Sequence, residues 1–408
     1  MGAPEVTAPL SGTCEGRFGA VREEFARNFA ERGEVGAGVC VIVDNRVVID
    51  LVGGWADDEG RQPWRHDTLV NFYSVGKPLV ALLALQLVDA GLIDLDDPIS
   101  AAWPAFAAHG KGAATLRHAL CHRAGVPALR EPLTNADLSD WDRMAGAVAN
   151  AEPWWEPGTR HAYHTNTYGH LVGEIIRRVS GEPCGTRLRS VTEPLGADVW
   201  FGVPRAKQHR CASVQFVAPS LGGKGTERAG AGAGAARDEA GAENAAGADA
   251  GLFADLAGDE RMAMLSYFNP PGYSSIGLVN TPAWRSAEVP STNGHGTASG
   301  IARLYGALLE PGRLLSAQLL AEATAPQSEG YCPILGEEVT FGLGFKPTAP
   351  RRPFGPNPRS FGHFGTGGAV GFADPDAGIA FGYAMNHVIP RWQSSRNRAL
   401  IDALYGSL

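Results

Sequence analysis

An α+β fold is predicted, with an antiparallel sheet assembled from both ends of the chain and a mainly helical region between them. Three observations carry this reading. A helix and a hairpin open the chain, helical patterns fill its middle, and Gly-rich strands followed by a helix close it. The 408 residues are 44% hydrophobic and 19% charged, which are globular values and enough for a large core. The pattern suggests a domain built from both ends of the chain with a helical region inserted between.

The elements follow in order. Residues 17–31 set Phe18, Val21, Phe25 and Phe29 on one side of a helix. Residues 36–43 and 46–52 are β-branched and apolar and flank Asp44-Asn45, a hairpin signal. A polar loop over 55–67 leads to a turn and an apolar run over 79–90. Leu79, Leu82, Leu83, Leu85, Leu87 and Val88 recur there at helical spacing, and Gly91 is the stop. Residues 116–122 predict a short helix ended by Gly125 and Pro127, and 153–158 a loop holding Trp154 and Trp155. Residues 168–179 predict a helix on Leu171, Val172, Ile175 and Ile176. The stretch 222–251 is mostly Gly, Ala and charged residues; it has too little apolar surface to order itself and predicts a flexible insertion. Helices are expected over 297–309 and 315–325, strands over 341–345, 361–364, 368–372 and 379–386, and a last helix over 394–405.

Charge and cysteine usage exclude several classes. A net charge of -8 argues against nucleic acid or an anionic membrane as partner. No apolar run reaches transmembrane length, and residues 1–16 carry neither a basic nor an apolar leader segment, so a cytoplasmic location is expected. The six cysteines are scattered without a Cys-x-x-Cys pair and predict free thiols.

The chemistry is expected at Ser74 and Lys77. The turn before the 79–90 run puts Ser74 at a helix N-terminus and Lys77 in the first turn, and residues three apart share a helix face. A hydroxyl needs a base to become a nucleophile, and a buried lysine can be that base. The chain has only five lysines among 35 basic residues, and only Lys77 follows a serine at this spacing. Arginine cannot give up its proton, so a lysine here points to a need for deprotonation. The structural alternative is a capping serine with a surface lysine. Tyr163, between the tryptophan loop and a helix, is a candidate proton shuttle with a lowered pKa, or else a core ring. The glycines around His363 mark a strand that something approaches closely, or a simple turn. His118 and His122 have metal-like spacing but no third ligand nearby, and read as core and capping residues. Residues 272–277 only half match a nucleophile elbow, since Ile276 stands where glycine is needed.

Ser74-x-x-Lys77, then Tyr163 ahead of a helix, then His363-x-Gly365 near the end form, in that order, the three-motif layout of serine β-lactamase-like hydrolases. The chain resembles the class C β-lactamase branch, and within it the family VIII carboxylesterases. Supporting stretches include 116–127, Trp155-Glu156-Pro157-Gly158, Tyr168-Gly169, 293–298 and Gly371-Phe372-Ala373-Asp374-Pro375, so the resemblance spans about residues 17–405. It implies one domain, 1–408, with a sheet region from residues 1–70 and 290–408, a mainly helical region from 71–289, and an active site in the cleft between them. It implies Ser74 as nucleophile, Lys77 as base, Tyr163 as proton shuttle, and the N–H groups of Ser74 and Thr366 as an oxyanion hole. Thr165, His363 and Gly365 would meet substrate. No metal or cofactor is implied, and the substrate would be a small carboxylic ester. The same residues would serve a β-lactamase, a D-amino-acid peptidase or amidase, or an acyltransferase; a non-catalytic binding protein is the remaining alternative.

Two departures bear on substrate. The related β-lactamases usually carry Tyr-x-Asn, where Thr165 stands here with Asn166 one step late. They also carry Lys-Thr-Gly, where this chain has His363-Phe364-Gly365. Losing an amide partner and a cation predicts short, uncharged esters over β-lactams. Trp154, Trp155 and Tyr273 are candidates for an apolar cleft mouth.

Overall fold

The computed structural model describes residues 8–216, 253, 255–389 and 392–408. The predicted insertion at 222–251 lies outside the described residues. Strands β1 (Leu10–Cys14), β2 (Gly36–Val43) and β3 (Arg46–Gly54) come from the start of the chain. Near the end, β4 (Ser328–Cys332) and β5 (Glu337–Phe341) form a separate antiparallel hairpin. Strands β6 (Lys346–Pro347), β7 (Phe361–Phe364), β8 (Val370–Asp374) and β9 (Ile379–Met385) follow. One seven-stranded sheet runs β1-β3-β2-β9-β8-β7-β6, antiparallel throughout. Asp44 and Asn45 both have positive φ, 47° and 63°, as a tight hairpin turn between twisted strands requires.

The longer helices are α1 (Gly19–Glu31), α2 (Gly76–Asp89), α3 (Trp141–Asn150), α4 (Thr167–Ser180), α5 (Cys184–Thr192), α6 (Gly258–Phe268), α7 (Ala298–Leu309), α8 (Ala317–Thr324) and α9 (Ser395–Tyr405). Helix α2 is buried all round from Gly76 to Leu85, which is why its apolar pattern is continuous rather than one-sided. It packs against α4, while α7 lies across β2, β8 and β9. That helix sits close because the sheet offers glycine beneath it. A Cβ on Gly382 would overlap the Ala298 carbonyl oxygen, and one on Gly371 would press on Tyr305 and Ile301. On the opposite face Phe372 and Phe381 stack at 5.0 Å. A buried ion pair, Arg396 to Glu34 at 3.2 Å, ties α9 to the segment before β2, with the Tyr383 hydroxyl donating to the same carboxylate.

Some elements differ from expectation. The strand expected at 341–345 ends at Phe341; Gly342 N–H bonds Phe345 O at 2.8 Å, Gly344 takes φ 83°, and the chain turns before β6. The strand expected from 368 starts at Val370, because Thr366–Gly368 is a helical turn. Strands β1 and β4 and helices α3, α5 and α6 carried no pattern strong enough to predict them. All six cysteines are unpaired. Among the described residues no helix is long and apolar enough to cross a membrane.

The close seat of α7 gives a stability test. Gly382→Ala should lower unfolding free energy by about 3 kcal/mol, the upper range for overpacking. Gly146, exposed on α3 with open space at its Cβ, should tolerate the same change or gain about 0.5–1 kcal/mol. Urea midpoints of the two variants check the contrast.

Candidate active site

Tyr73–Val75 forms a single helical turn that runs into α2. Tyr73 itself has φ 50°, a conformation rare for a bulky side chain; its ring is buried and its hydroxyl accepts a hydrogen bond from Ser275 at 3.3 Å. Ser74 follows, 6% exposed, and Lys77 lies fully buried one turn on. Lys77 Nζ stands 3.3 Å from Ser74 Oγ. It also donates to the backbone carbonyls of Thr165, at 2.6 Å, and Ser291, at 3.1 Å. Among the described residues no carboxylate pairs with it. Burial without a counter-ion pushes its pKa well below the lysine value of 10.5. A neutral amine has two N–H donors and one lone pair. With two carbonyls taking the donors, the lone pair is left for the serine proton.

Tyr163 covers this pair. Lys77 Nζ lies 4.6 Å from the centre of its ring. The phenol is buried and its oxygen has no hydrogen-bond partner among the described residues. Burial raises its pKa well above 10, with the Ser74 hydroxyl acting in the opposite direction. The lowered pKa expected for Tyr163 is therefore corrected: burial, which penalises the phenolate, is the dominant influence on this hydroxyl.

His363, on β7, stacks on Tyr163 with centroids 6.1 Å apart. Its Nδ1 lies 2.6 Å from the Phe364 carbonyl and so carries the proton, which leaves Nε2 a buried acceptor without a partner among the described residues. Burial, Lys77 and Lys346 all lower its pKa well below 6.5. The end of β7 abuts the serine turn: a Cβ on Gly365 would overlap Phe72 O. Neither Thr366 N–H nor Ser74 N–H donates to a carbonyl among the described residues.

Thr165 contributes its carbonyl, while its hydroxyl faces Tyr163 O at 3.5 Å. Asn166 is absorbed by the core: Nδ2 donates to Ser266 O at 2.7 Å, and Oδ1 accepts from Thr292 Oγ1 at 2.7 Å. Tyr273 does not line a mouth; it is buried, with its hydroxyl 2.8 Å from His170 Nδ1. The paired histidines are the capping and core residues expected. His118 completes a capping box with Thr115, and His122 Nδ1 accepts from His164 N–H at 3.1 Å, under the Tyr163 and Phe341 rings. Among the described residues no group of three or more His, Cys, Asp or Glu could hold a metal ion. Two surface hollows of about 250 and 330 Å³ lie on the helical side, and neither touches Ser74, Lys77 or Tyr163.

Sequence reasoning missed the Ser291 carbonyl, Phe341, Trp392 and Lys346. Only Lys346 left a trace, as one of few lysines in an arginine-rich chain.

A beta-lactamase family model matches residues 22–405. The chain is 30% identical to the esterase/beta-lactamase LipL of Mycobacterium tuberculosis over 398 residues, covering 95% of this chain and 85% of that protein. A family VIII carboxylesterase crystal structure superposes with TM-score 0.84 at 34% identity, covering 98% of this chain and 100% of the other. A penicillin-binding protein homologue from Caulobacter crescentus superposes with TM-score 0.83 at 35% identity, over 98% and 100% of the two chains. With nearly its whole length matched and a lysine-paired serine at the head of α2, this chain belongs to the beta-lactamase family.

Proposed function

We propose that the protein is a serine carboxylesterase that cleaves small carboxylic esters through an acyl-serine intermediate. The observation that carries this is the Lys77 amine, buried without a counter-ion, its donors held by Thr165 O and Ser291 O and its remaining side 3.3 Å from Ser74 Oγ. Ser74 Oγ attacks the ester carbonyl while Lys77 takes the hydroxyl proton. Negative charge on the carbonyl oxygen is met by the Ser74 and Thr366 N–H groups. Tyr163, a neutral phenol, relays a proton to the leaving alkoxide and is reprotonated from Lys77. Water then enters, loses its proton to the same lysine and attacks the acyl-serine carbonyl; the acid leaves as Lys77 returns the proton to Ser74 Oγ.

Ester rather than amide chemistry is favoured by Asn166. Both its amide atoms are held in the core, so it offers nothing to a substrate amide. The similarity to a family VIII carboxylesterase supports the same reading. We read residues 1–70 with 290–408, and 71–289, as two subdomains that meet at this site. The abutment of Gly365 on Phe72 O supports that division. Six unpaired thiols support a reducing compartment such as the cytoplasm.

Ser74→Ala should abolish hydrolysis of p-nitrophenyl butyrate, and Lys77→Ala should lower kcat/KM by about a thousandfold. A fluorophosphonate probe should label the wild type at Ser74. Retained turnover in Ser74→Ala would overturn the assignment.

The pH profile follows from the sign of the Lys77 shift. Lys77 is a base only when neutral, so kcat/KM should rise with pH through its folded pKa and then level off. Burial puts that midpoint well below 10.5. A single acid limb centred at the ordinary lysine value would contradict it.

Substrate preference separates ester from β-lactam hydrolysis. Leaving a buried amide partner unmet costs about 1–3 kcal/mol, so kcat/KM for p-nitrophenyl butyrate should exceed that for nitrocefin by about tenfold or more. Equal values on one preparation would favour the β-lactamase reading.

A further inference from the structure

Lys346 is a buried basic side chain beside the site that the mechanism leaves unused. Lys346 lies on β6, the edge strand, directly opposite Gly362 on the strand that carries His363. It is 7% exposed. Its ammonium stands 4.5 Å from the Phe341 ring and 5.3 Å from the Trp392 ring. Among the described residues no carboxylate pairs with it and no oxygen accepts from it. Glu337 is already engaged by Arg351 at 3.2 Å and Arg352 at 2.9 Å. Locally, three cations share one carboxylate. Two aromatic faces offset part of the cost of burying an ammonium, yet methionine would fill the same space without that cost.

The rings that hold Lys346 are also the rings of the site. Trp392 lies 5.3 Å from Tyr163 and 5.7 Å from His363, and Phe341 stacks on Tyr163 at 5.9 Å. The charge therefore stands one ring beyond the tyrosine. In the same place two buried polar atoms, Tyr163 Oη and His363 Nε2, have no hydrogen-bond partner among the described residues. The tyrosine protonates the departing oxygen, so the alcohol half of the ester lies on this side.

We propose that Lys346 recognises a carboxylate on the alcohol half of the substrate, which makes the preferred substrates esters of short hydroxy acids. This rests on the carboxylesterase reading above. The ammonium would exchange two aromatic faces for a charge-assisted hydrogen bond to the carboxylate.

Two butyrate esters test it: one of 4-hydroxybenzoate, and one of its neutral analogue 4-hydroxyacetophenone. Lys346→Met should raise KM for the carboxylate ester about tenfold more than for the neutral one, the effect of removing one partly buried charge partner. Lys346→Arg should restore most of the discrimination. On wild-type protein, which needs no variant to fold, 4-hydroxybenzoate should inhibit neutral-ester hydrolysis competitively and more strongly than 4-hydroxyacetophenone. Equal change for both esters, or no preferential inhibition by the carboxylate, overturns the assignment of Lys346 while leaving the carboxylesterase intact. A wild type that hydrolyses neither these esters nor p-nitrophenyl butyrate overturns both.

Discussion

An amine with no acid to pair with governs the centre of this molecule. Taking a lysine out of water favours its neutral form, and only a neutral lysine can receive a proton from serine. Keeping it there requires that no carboxylate approach and that its two remaining N–H groups find oxygens. Both are met by backbone. The Thr165 carbonyl comes from the segment before α4, and the Ser291 carbonyl from the segment before α7. The second is possible only because glycine stands on both sides of it. A Cβ at Gly76 would overlap Pro290 O, and one at Gly169 would press on Pro290 and Ser291 N. The buried surround of α2 and two glycines on separate helices thus hold the Lys77 amine in place.

The same low-polarity setting fixes the histidines around the pair. His164 accepts from Val126 N–H at 3.2 Å through Nε2, and its Nδ1 faces Ala162 O at 2.7 Å. Burial lowers its pKa to about 4. His363 is held neutral in the same way, with its proton fixed on Nδ1 by Phe364 O. The wall facing Ser74 therefore offers neutral rings and acceptors, and Lys346 is the cation behind it.

Much of this was legible because local chemistry left marks in the sequence. The apolar run after Ser74 required a helix, and Asp44-Asn45 required a tight turn. Gly365 marked a close approach, which Phe72 O makes. What could not be read is contact across long separations. Ser291 lies 214 residues from the lysine it serves, and a backbone carbonyl has no residue type to betray it. The direction of the Tyr163 shift failed for a related reason. A lysine next to a tyrosine implies a cation in a sequence, but the phenol's shift is dominated by burial, which only the fold decides. Strand β1 has no alternation because its residues are half exposed at the sheet edge, and so it carried no pattern.

Asn166 shows how one residue of displacement separates fold from specificity. At the mouth of α4 successive side chains leave in different directions. Thr165 faces the site by its carbonyl, and Asn166, one step on, turns into the core to bind Ser266 and Thr292. Recruiting that amide for a substrate would break two buried hydrogen bonds, at about 1–3 kcal/mol for each group left unmet. The scaffold then resists return to an amide-binding site even though sheet, helices, serine and lysine are those of the family. On the proposed reading, substrate choice is set by groups outside the serine–lysine pair: the core role of Asn166, the buried His363, and the ammonium of Lys346 supplied from the neighbouring strand.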